Sequence, residues 1–391
     1  VVSTQAAFSR ANLVMLSLTF FLYFGQLGVL VPYLGVFLDG RGFNSEEIGE
    51  LFALITLMRI IGPNLFASFA DRTGKSLRIL QFGAFLTFAT FCSVFWLNSF
   101  WGLTLAFGLM MLFFTAIAPQ TEVITLSSVR GDATKYSHVR LWGSVGFIVL
   151  TVLAGKLIDV FSSEAPIYIS GAVLLSLFLI TLRLKEASTS ENDQASEQSI
   201  WGKVRNKVFI VFILSSICIQ ISFGPYYSFF ALYARDLNYS GQETGGLIAL
   251  GVAAEVIIFL LAGKLISRFG IKWTLLISML LTALRWYLLA IAAQYWPTLV
   301  VSQLLHAFSF GLIHAASINF IHHFFGGLFR SQGQALYTSI GFGIGGAAGN
   351  YGAGLIWQQG QGAEFAFTLA TGFALLGAVL VACIPSRLMS K

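Results

Sequence analysis

Long apolar runs closed by short polar clusters set the rhythm of this chain. Cutting at the charged and Gly/Pro/Asn/Asp-rich clusters leaves twelve runs, roughly 11–38, 46–69, 77–97, 100–127, 137–160, 165–184, 207–234, 242–267, 272–293, 296–322, 332–358 and 363–384. Each is near or above the ~20 residues a helix needs to cross a bilayer, and none alternates over ~10 residues as a barrel strand does. The pattern predicts twelve membrane-spanning helices. Two starts carry cap signals: Asn44-Ser45-Glu46-Glu47 before the second run, and Ser240 with Glu243 before the eighth. The first run, after Arg10, lacks a small-residue cleavage site and is expected to remain a span.

Composition agrees. The chain is 57% hydrophobic and 10% charged, against about 25% charged in soluble domains. A net charge of +6 would suggest nucleic acid in a soluble protein. Here the basic side chains sit in short connections, where they set orientation, so the bilayer and not nucleic acid is the expected partner. With the N-terminus inside, the inner connections hold Arg72, Lys75, Arg78, Arg130, Lys135, Arg183, Lys185, Lys203, Arg205, Lys207, Arg268, Lys272 and Arg330. The outer ones hold only Arg41 and Arg235, with Lys156 near an outer end. Both termini are therefore expected in the cytoplasm. Cys92, Cys218 and Cys383 lie inside apolar runs without paired spacing and read as small core residues. No metal and no cofactor is implied.

The longest polar segment, Glu186–Asn206, has the composition of a flexible linker and divides residues 1–185 from 207–391. The two halves are related. Ile48-Gly-Glu-Leu-Phe-Ala-Leu54 recurs about 196 residues later as Thr244-Gly-Gly-Leu-Ile-Ala-Leu250, and Asp71-Arg72-Thr73-Gly74 as Ser267-Arg268-Phe269-Gly270. The expected fold is an all-α integral membrane protein, with twelve transmembrane helices in two pseudo-symmetric six-helix bundles. A parallel repeat of this kind is a transporter architecture, with the site near the midplane between the halves.

Five ionised groups fall well inside apolar runs: Arg59, Glu122, Arg140, Glu255 and Arg285. Each costs roughly 2.5–3.5 kcal/mol at a helix centre, which marks a pathway for ions or substrate, or else ion pairs that lock helices together. Arg140 shares a helix face with Ser144, Phe147 and Thr151, suiting a substrate with a carboxylate and an apolar body. Alternatively Arg140 neutralises Glu122. Arg59 and Glu255 occupy equivalent places in the repeat and suit a gating pair, or each pairs within its own half. The tenth run gathers Gln303, His306, Ser309, Phe310, His314 and Ser317 on one broad face, a polar path. Metal binding is the weaker reading, since no Cys or carboxylate joins them. Tyr23 and Gln26 share a face of the first run, and Gln220 and Tyr227 of the seventh, as for an aromatic or sugar-like ligand. Gly341-Phe-Gly343-Ile-Gly345-Gly346 fits a dinucleotide fingerprint, but no strand precedes it. The four-residue spacing of Gly341, Gly345 and Gly349 predicts close helix packing instead. No phosphate loop is found, which argues against ATP drive.

Ala67-Ser-Phe-Ala-Asp71-Arg72-Thr-Gly74-Lys75 resembles the loop signature of the major facilitator superfamily, with Ala67 where the first Gly is usual. Val139-Arg-Leu-Trp-Gly-Ser-Val145, Leu250-Gly-Val-Ala-Ala-Glu-Val-Ile-Ile-Phe259, Leu284-Arg-Trp286, and Leu305-His306 with His314 resemble the lactose-permease-like branch, and within it the bacterial 3-phenylpropionic acid transporters. By that resemblance Glu122 and Arg140 match the sugar-binding pair of the branch, Arg285 its ninth-helix Arg and His306 its tenth-helix His. Ser309 stands where the proton-carrying Glu is expected, Val252 where the eighth-helix Glu is, with Glu255 one turn later, and Phe147 where a Trp stacks. The coupling scheme of the branch therefore does not transfer unchanged.

The resemblance implies a proton-coupled symporter of a small solute in the bacterial inner membrane, acting as a monomer by alternating access. Glu255 is the first choice of proton carrier and Glu122 the second. His306 would be relay or donor, and Arg140 and Arg285 would hold substrate or reset the carboxylates. Arg59, Asp71 and Arg72 are assigned to gating and ion pairing. Three buried Arg against two buried Glu lean toward an anion, so an aromatic carboxylic acid such as a phenylpropionate is expected. A sugar, oligosaccharide or nucleoside is the alternative, and a non-transporting receptor a further one. No nucleophile–base set occurs in the spans, so an enzyme is not expected.

Overall fold

The computed structural model describes residues 10–73, 75–185 and 200–389, leaving aside the side chains of 64, 67–73, 201, 327, 328 and 331. Among the described residues the apolar runs are helices and no strand occurs. In chain order they are α1 (Arg10–Gly40), α2 (Ser45–Thr73), α3 (Ser76–Cys92), α4 (Phe100–Phe114), α5 (Ile117–Ser128), α6 (Ala133–Val160), α7 (Ala165–Thr181), the single turn α8 (Trp201–Val204), α9 (Lys207–Ser222), α10 (Gly224–Asp236), α11 (Gly241–Ala292), α12 (Trp296–Leu304), α13 (Ile313–Leu336), α14 (Gly346–Trp357), α15 (Ala363–Cys383) and the final turn α16 (Ser386–Met389).

Eight helical stretches among them are long and apolar enough to cross a membrane. In two of these, α4 runs on into α5 and α9 into α10. A third, α11, has 52 residues and breaks at Gly270, where φ is 75°. Gly326 breaks α13 in the same way, at φ 68°. Only glycine takes this left-handed geometry without steric cost. Counted by arms, the described residues trace the twelve predicted segments. Their outward faces are apolar: Leu260 is 79% exposed and Leu105 63%, surfaces that only lipid covers without cost.

Both predicted caps form. Asn44 and Glu47 exchange side-chain-to-backbone bonds of 2.9 Å at the start of α2. Ser240 and Glu243 do the same at α11, at 2.8 and 3.1 Å.

The repeat is visible in packing. In the first copy, a Cβ on Gly62 would lie 2.7 Å from Thr115 Oγ1. In the second, a Cβ on Gly311 would lie 2.7 Å from Ile258 Cγ2, with both positions shifted by 196 and the small residue on the opposite helix. Left-handed turns also recur near that shift, at Gly42 and Asn238 (φ 85° and 65°) and at Gly131 and Gly326 (φ 73° and 68°).

Packing groups the chain into two compact units, Val1–Phe37 with Met58–Gln194, and Leu38–Leu57 with Ala195–Lys391. The hairpin Leu38–Leu57 joins the second unit because Gly49 meets Gly354 of α14, where an added Cβ would come within 2.6 Å of the facing Cα. Ser45 Oγ also accepts the Gln359 N–H at 2.8 Å. Most of the expected linker, 186–199, lies outside the described residues. Its far end forms α8, whose Lys203 donates to the Phe324 and Phe325 carbonyls (3.3 and 2.6 Å) just before the Gly326 break.

Candidate functional site

Buried charge in the second unit converges on one point. Arg285, on the second arm of α11, is fully buried. A guanidinium has only donors, so Arg285 Nη1, 3.0 Å from His306 Nδ1, donates to that nitrogen. The neutral imidazole then carries its proton on Nε2, which faces Glu255 Oε2 at 3.4 Å. Cation, imidazole and carboxylate thus stand in line. Among the described residues no protein group accepts from Arg285 Nε or Nη2. The guanidinium instead lies 4.2 Å from the Tyr226 ring centre and 4.4 Å from that of Trp286. Each ring is pinned by its polar atom. The Tyr226 hydroxyl donates to Gln303 Oε1 at 2.8 Å, and Trp286 Nε1–H to Ser222 Oγ at 3.0 Å.

α12 does not continue into α13 as an ordinary helix. Ala307–Leu312 forms a π-helical turn directly after His306, a distortion that recurs at functional sites. The wide turn stacks His306, Phe310 and His314, with ring centres 5.9 and 6.0 Å apart and planes within 10° and 7°. Gly311 lets α11 come close, since a Cβ there would lie 3.1 Å from Glu255 Cγ. His314 is half-buried, meets the edge of Phe342 at 5.8 Å, and its Nδ1 has no protein partner among the described residues. Ser309 returns its hydroxyl to the Leu305 carbonyl at 2.9 Å.

The first unit holds the other candidates. Arg140 is half-buried, 3.9 Å from the Phe24 ring centre and 5.6 Å from that of Phe20. Gly143 makes the room, for a Cβ there would come within 2.8 Å of Arg140 Nη1. Glu122, half-buried on α5, lies within the electrostatic reach of Arg140. Between them the chain turns at Arg130 and Gly131, and Asp132 caps α6 by accepting the Thr134 and Lys135 N–H groups at 3.0 Å each. The Lys135 N–H in particular holds the Asp132 carboxyl below its ordinary range. Ser144 and Phe147 are half-buried. Thr151 is fully buried and spends its hydroxyl on the Gly28 carbonyl at 2.9 Å, so the expected polar face ends at Phe147. Tyr23 is buried and stacks on Phe114, 4.3 Å between centres. Gln26 is buried, and neither of its amide atoms has a protein partner among the described residues.

Arg59 is exposed on α2, while Glu255 is engaged by His306 of its own unit. Asp71 and Arg72 fall in the last turn of α2, and their side chains lie outside the described residues. Gln220 is buried beside Gly345, where an added Cβ would lie 3.0 Å from the Gln220 Cβ. Tyr227 is half-buried and stacks on Phe223 at 5.3 Å.

A family model, described as the MFS_1 like family, matches residues 13–369. The chain belongs to this family. Among similar chains is the "Probable 3-phenylpropionic acid transporter" of Escherichia coli (strain K12), 31% identical over 355 residues that cover 88% of this chain and 90% of that one. The maltose permease of Geobacillus stearothermophilus is 26% identical over 344 residues, 86% of each chain. Among solved structures, the nucleoside transporter NupG matches with a TM-score of 0.85 at 17% identity, over 95% of this chain and 98% of that one, a likeness of fold. This major facilitator chain is thus a multi-pass bacterial membrane transporter of a small molecule, and not an enzyme.

Within the family member's second unit, the sequence pattern selected Tyr227 and passed over Tyr226 and Trp286, the two rings that touch Arg285. The physical cause is the joint between α9 and α10 at Phe223, followed by Gly224-Pro225. Pro225 removes a backbone donor, so counting faces along one unbroken helix from Gln220 misassigns the next turn. The run Arg285-Trp286 was itself a signal, since a buried Arg beside a Trp invites a cation–π contact.

Proposed function

We propose that this chain is a proton-coupled symporter of an aromatic carboxylic acid such as a phenylpropionate. Its two halves, 1–185 and 207–391, would rock between inward-open and outward-open states in the bacterial inner membrane, with both termini cytoplasmic and the monomer as the working unit. The observation that carries this reading is Arg285. It is a fully buried cation with two donor nitrogens that no protein group accepts from among the described residues, joined through His306 to Glu255.

A carboxylate complements two adjacent guanidinium donors in shape and charge. With Glu255 ionised, the line Glu255–His306–Arg285 is neutral overall. A proton on Glu255 leaves the charge of Arg285 unbalanced, and an organic anion restores it. Proton and anion therefore favour each other's binding, which is the coupling that symport requires. Glu122 serves as the second carboxylate, with Arg140 beside it. Tyr23, Phe147, Ser144, His314, Gln220 and Tyr227 offer aromatic or polar surface for the body of the substrate, and Arg59, Asp71 and Arg72 act in gating. The relative named for 3-phenylpropionic acid supports the choice of substrate.

A sugar or nucleoside is the second reading. The maltose permease relative supports it, as does Gln26, whose buried amide lacks protein partners and suits a hydroxyl-rich ligand.

Counterflow in proteoliposomes with labelled 3-phenylpropionate, maltose and uridine tests the reading. Exchange of the first is expected. Exchange of maltose or uridine alone selects the second reading, and exchange of none removes both and leaves a receptor. Glu255→Gln is expected to keep exchange and lose uphill uptake. Proton-driven uptake at the wild-type level in that variant would remove Glu255 as the carrier.

A further inference from the structure

We propose that Tyr226 and Trp286 are positioning residues that make this protein selective for an anion, by holding the charged Arg285 guanidinium against two pinned rings. The inference rests on the organic-acid reading above and assigns the residues that set its charge preference.

A buried cation ordinarily needs a carboxylate in contact. Here the nearest carboxylate that the structure joins to Arg285, Glu255, reaches it only through the His306 ring. Direct stabilisation comes from the faces of Tyr226 and Trp286, at 4.2 and 4.4 Å, with Phe223 farther off at 5.9 Å. Ring faces attract a cation without occupying its hydrogen-bond donors. Nε and Nη2 have no acceptor within hydrogen-bond geometry among the described residues. A carboxylate in place of the rings would consume the donors and leave nothing for a substrate anion.

The rings are themselves fixed. Gln303 takes the Tyr226 hydroxyl at 2.8 Å and gives an N–H to Ser302 Oγ at 3.3 Å. Ser222 takes the Trp286 N–H at 3.0 Å and donates to the Ile219 carbonyl at 2.6 Å. Tyr226 and Trp286 also touch each other, 5.6 Å between ring centres. The two rings are thus fixed against the guanidinium before any ligand arrives. Preorganised donors bind an anion more tightly than mobile ones because less ordering is left to the binding step.

The test compares 3-phenylpropionate with its neutral analogue 3-phenylpropionamide, as competitors of counterflow, in the wild type and in Tyr226→Leu and Tyr226→Phe. Thermal unfolding in detergent is followed for each protein. The wild type is expected to prefer the carboxylate. Tyr226→Leu, which removes the ring face, is expected to lower the carboxylate-to-amide preference about tenfold. Tyr226→Phe keeps the face and removes only the bond that pins it to Gln303, so it should lower the preference by less than Tyr226→Leu, about threefold. A role confined to packing would weaken both ligands alike and leave their ratio unchanged, and that result overturns the inference. Complete loss of preference in a stably folded Tyr226→Phe, which keeps the ring face, also overturns it, and decides the matter if the Leu variant does not fold. A wild type without preference for the carboxylate overturns the organic-acid reading itself and this inference with it. Preference in the wild type with an unchanged ratio in Tyr226→Leu overturns the inference alone.

Discussion

Arg140 and Arg285 look alike in the sequence, as single guanidinium groups in apolar runs, yet the structure gives them different surroundings. Arg285 is fully buried against Tyr226 and Trp286, whereas Arg140 is half-buried over Phe24. A planar guanidinium lies flat on a ring and still offers an edge, and a lysine ammonium does neither as well. Arg140→Lys is therefore expected to weaken binding of 3-phenylpropionate by about tenfold, while Lys retains the charge. Competition of counterflow measures it, and unchanged affinity would place Arg140 outside the site. That both arginines were functional candidates was legible from their cost in a membrane. Trp286 follows Arg285 directly, but the other ring and the imidazole were not legible, because they lie on other helices: His306 is 21 residues from Arg285 and Tyr226 is 59.

At the scale of elements, caps and glycine spacings translated well into structure, and irregular turns did not. The predicted packing of Gly345 and Gly349 appears as close approach to Ile217 and Ile221 of α9. The π-helical turns at Ala307–Leu312 and Tyr337–Gly345 have no local sequence signature that the apolar pattern could show. Gly224 offers a direct test of packing. A Cβ there would sit 2.1 Å from the Gly349 carbonyl oxygen, which is backbone and cannot rotate away. Gly224→Ala should destabilise the protein by about 1–3 kcal/mol, read as a lower midpoint of thermal unfolding in detergent. The cap at Asp132 carries a pH signature. Its carboxyl titrates below the ordinary range when folded, chiefly through the Lys135 N–H. The stabilisation is present above the unfolded-state pKa and is lost as pH falls through the folded one. The difference in melting temperature between wild type and Asp132→Ala should be full at neutral pH and narrow as the pH drops below about 4. A difference that widens in acid would contradict the cap.

Across the whole molecule the repeat supplies a frame, and single charges break its symmetry. Asp39 and Arg235 lie 196 residues apart, the shift of the repeat, and are joined at 2.6 Å between Oδ2 and Nη1. The pair therefore connects equivalent positions of the two copies with opposite charges. Arg235 also bonds its neighbour Asp236 through Nε and Nη2, at 3.1 and 3.0 Å. The two side chains are 49% and 33% exposed, which screens the attraction. A double-mutant cycle of Asp39→Asn with Arg235→Gln is expected to give a coupling below about 1 kcal/mol but above zero. Additive effects on thermal stability would show that the contact contributes nothing.

The sequence alone determined the membrane class, the twelve segments, the repeat and the short list of charges within the apolar runs, though not their burial, since Arg59 is exposed. These follow from hydropathy and length, which are properties of neighbouring residues. The linker at 186–206 also suggested where one half ends, yet packing takes the hairpin Leu38–Leu57 into the unit of the second half. Tertiary structure decided that grouping, the line Glu255–His306–Arg285 and the rings that hold it. Each depends on helix phase, which is reset at Phe223, at Thr115 and at the π-helical turn after His306. It depends also on contacts between segments far apart in the chain, and neither is written in the local alternation of apolar and polar residues.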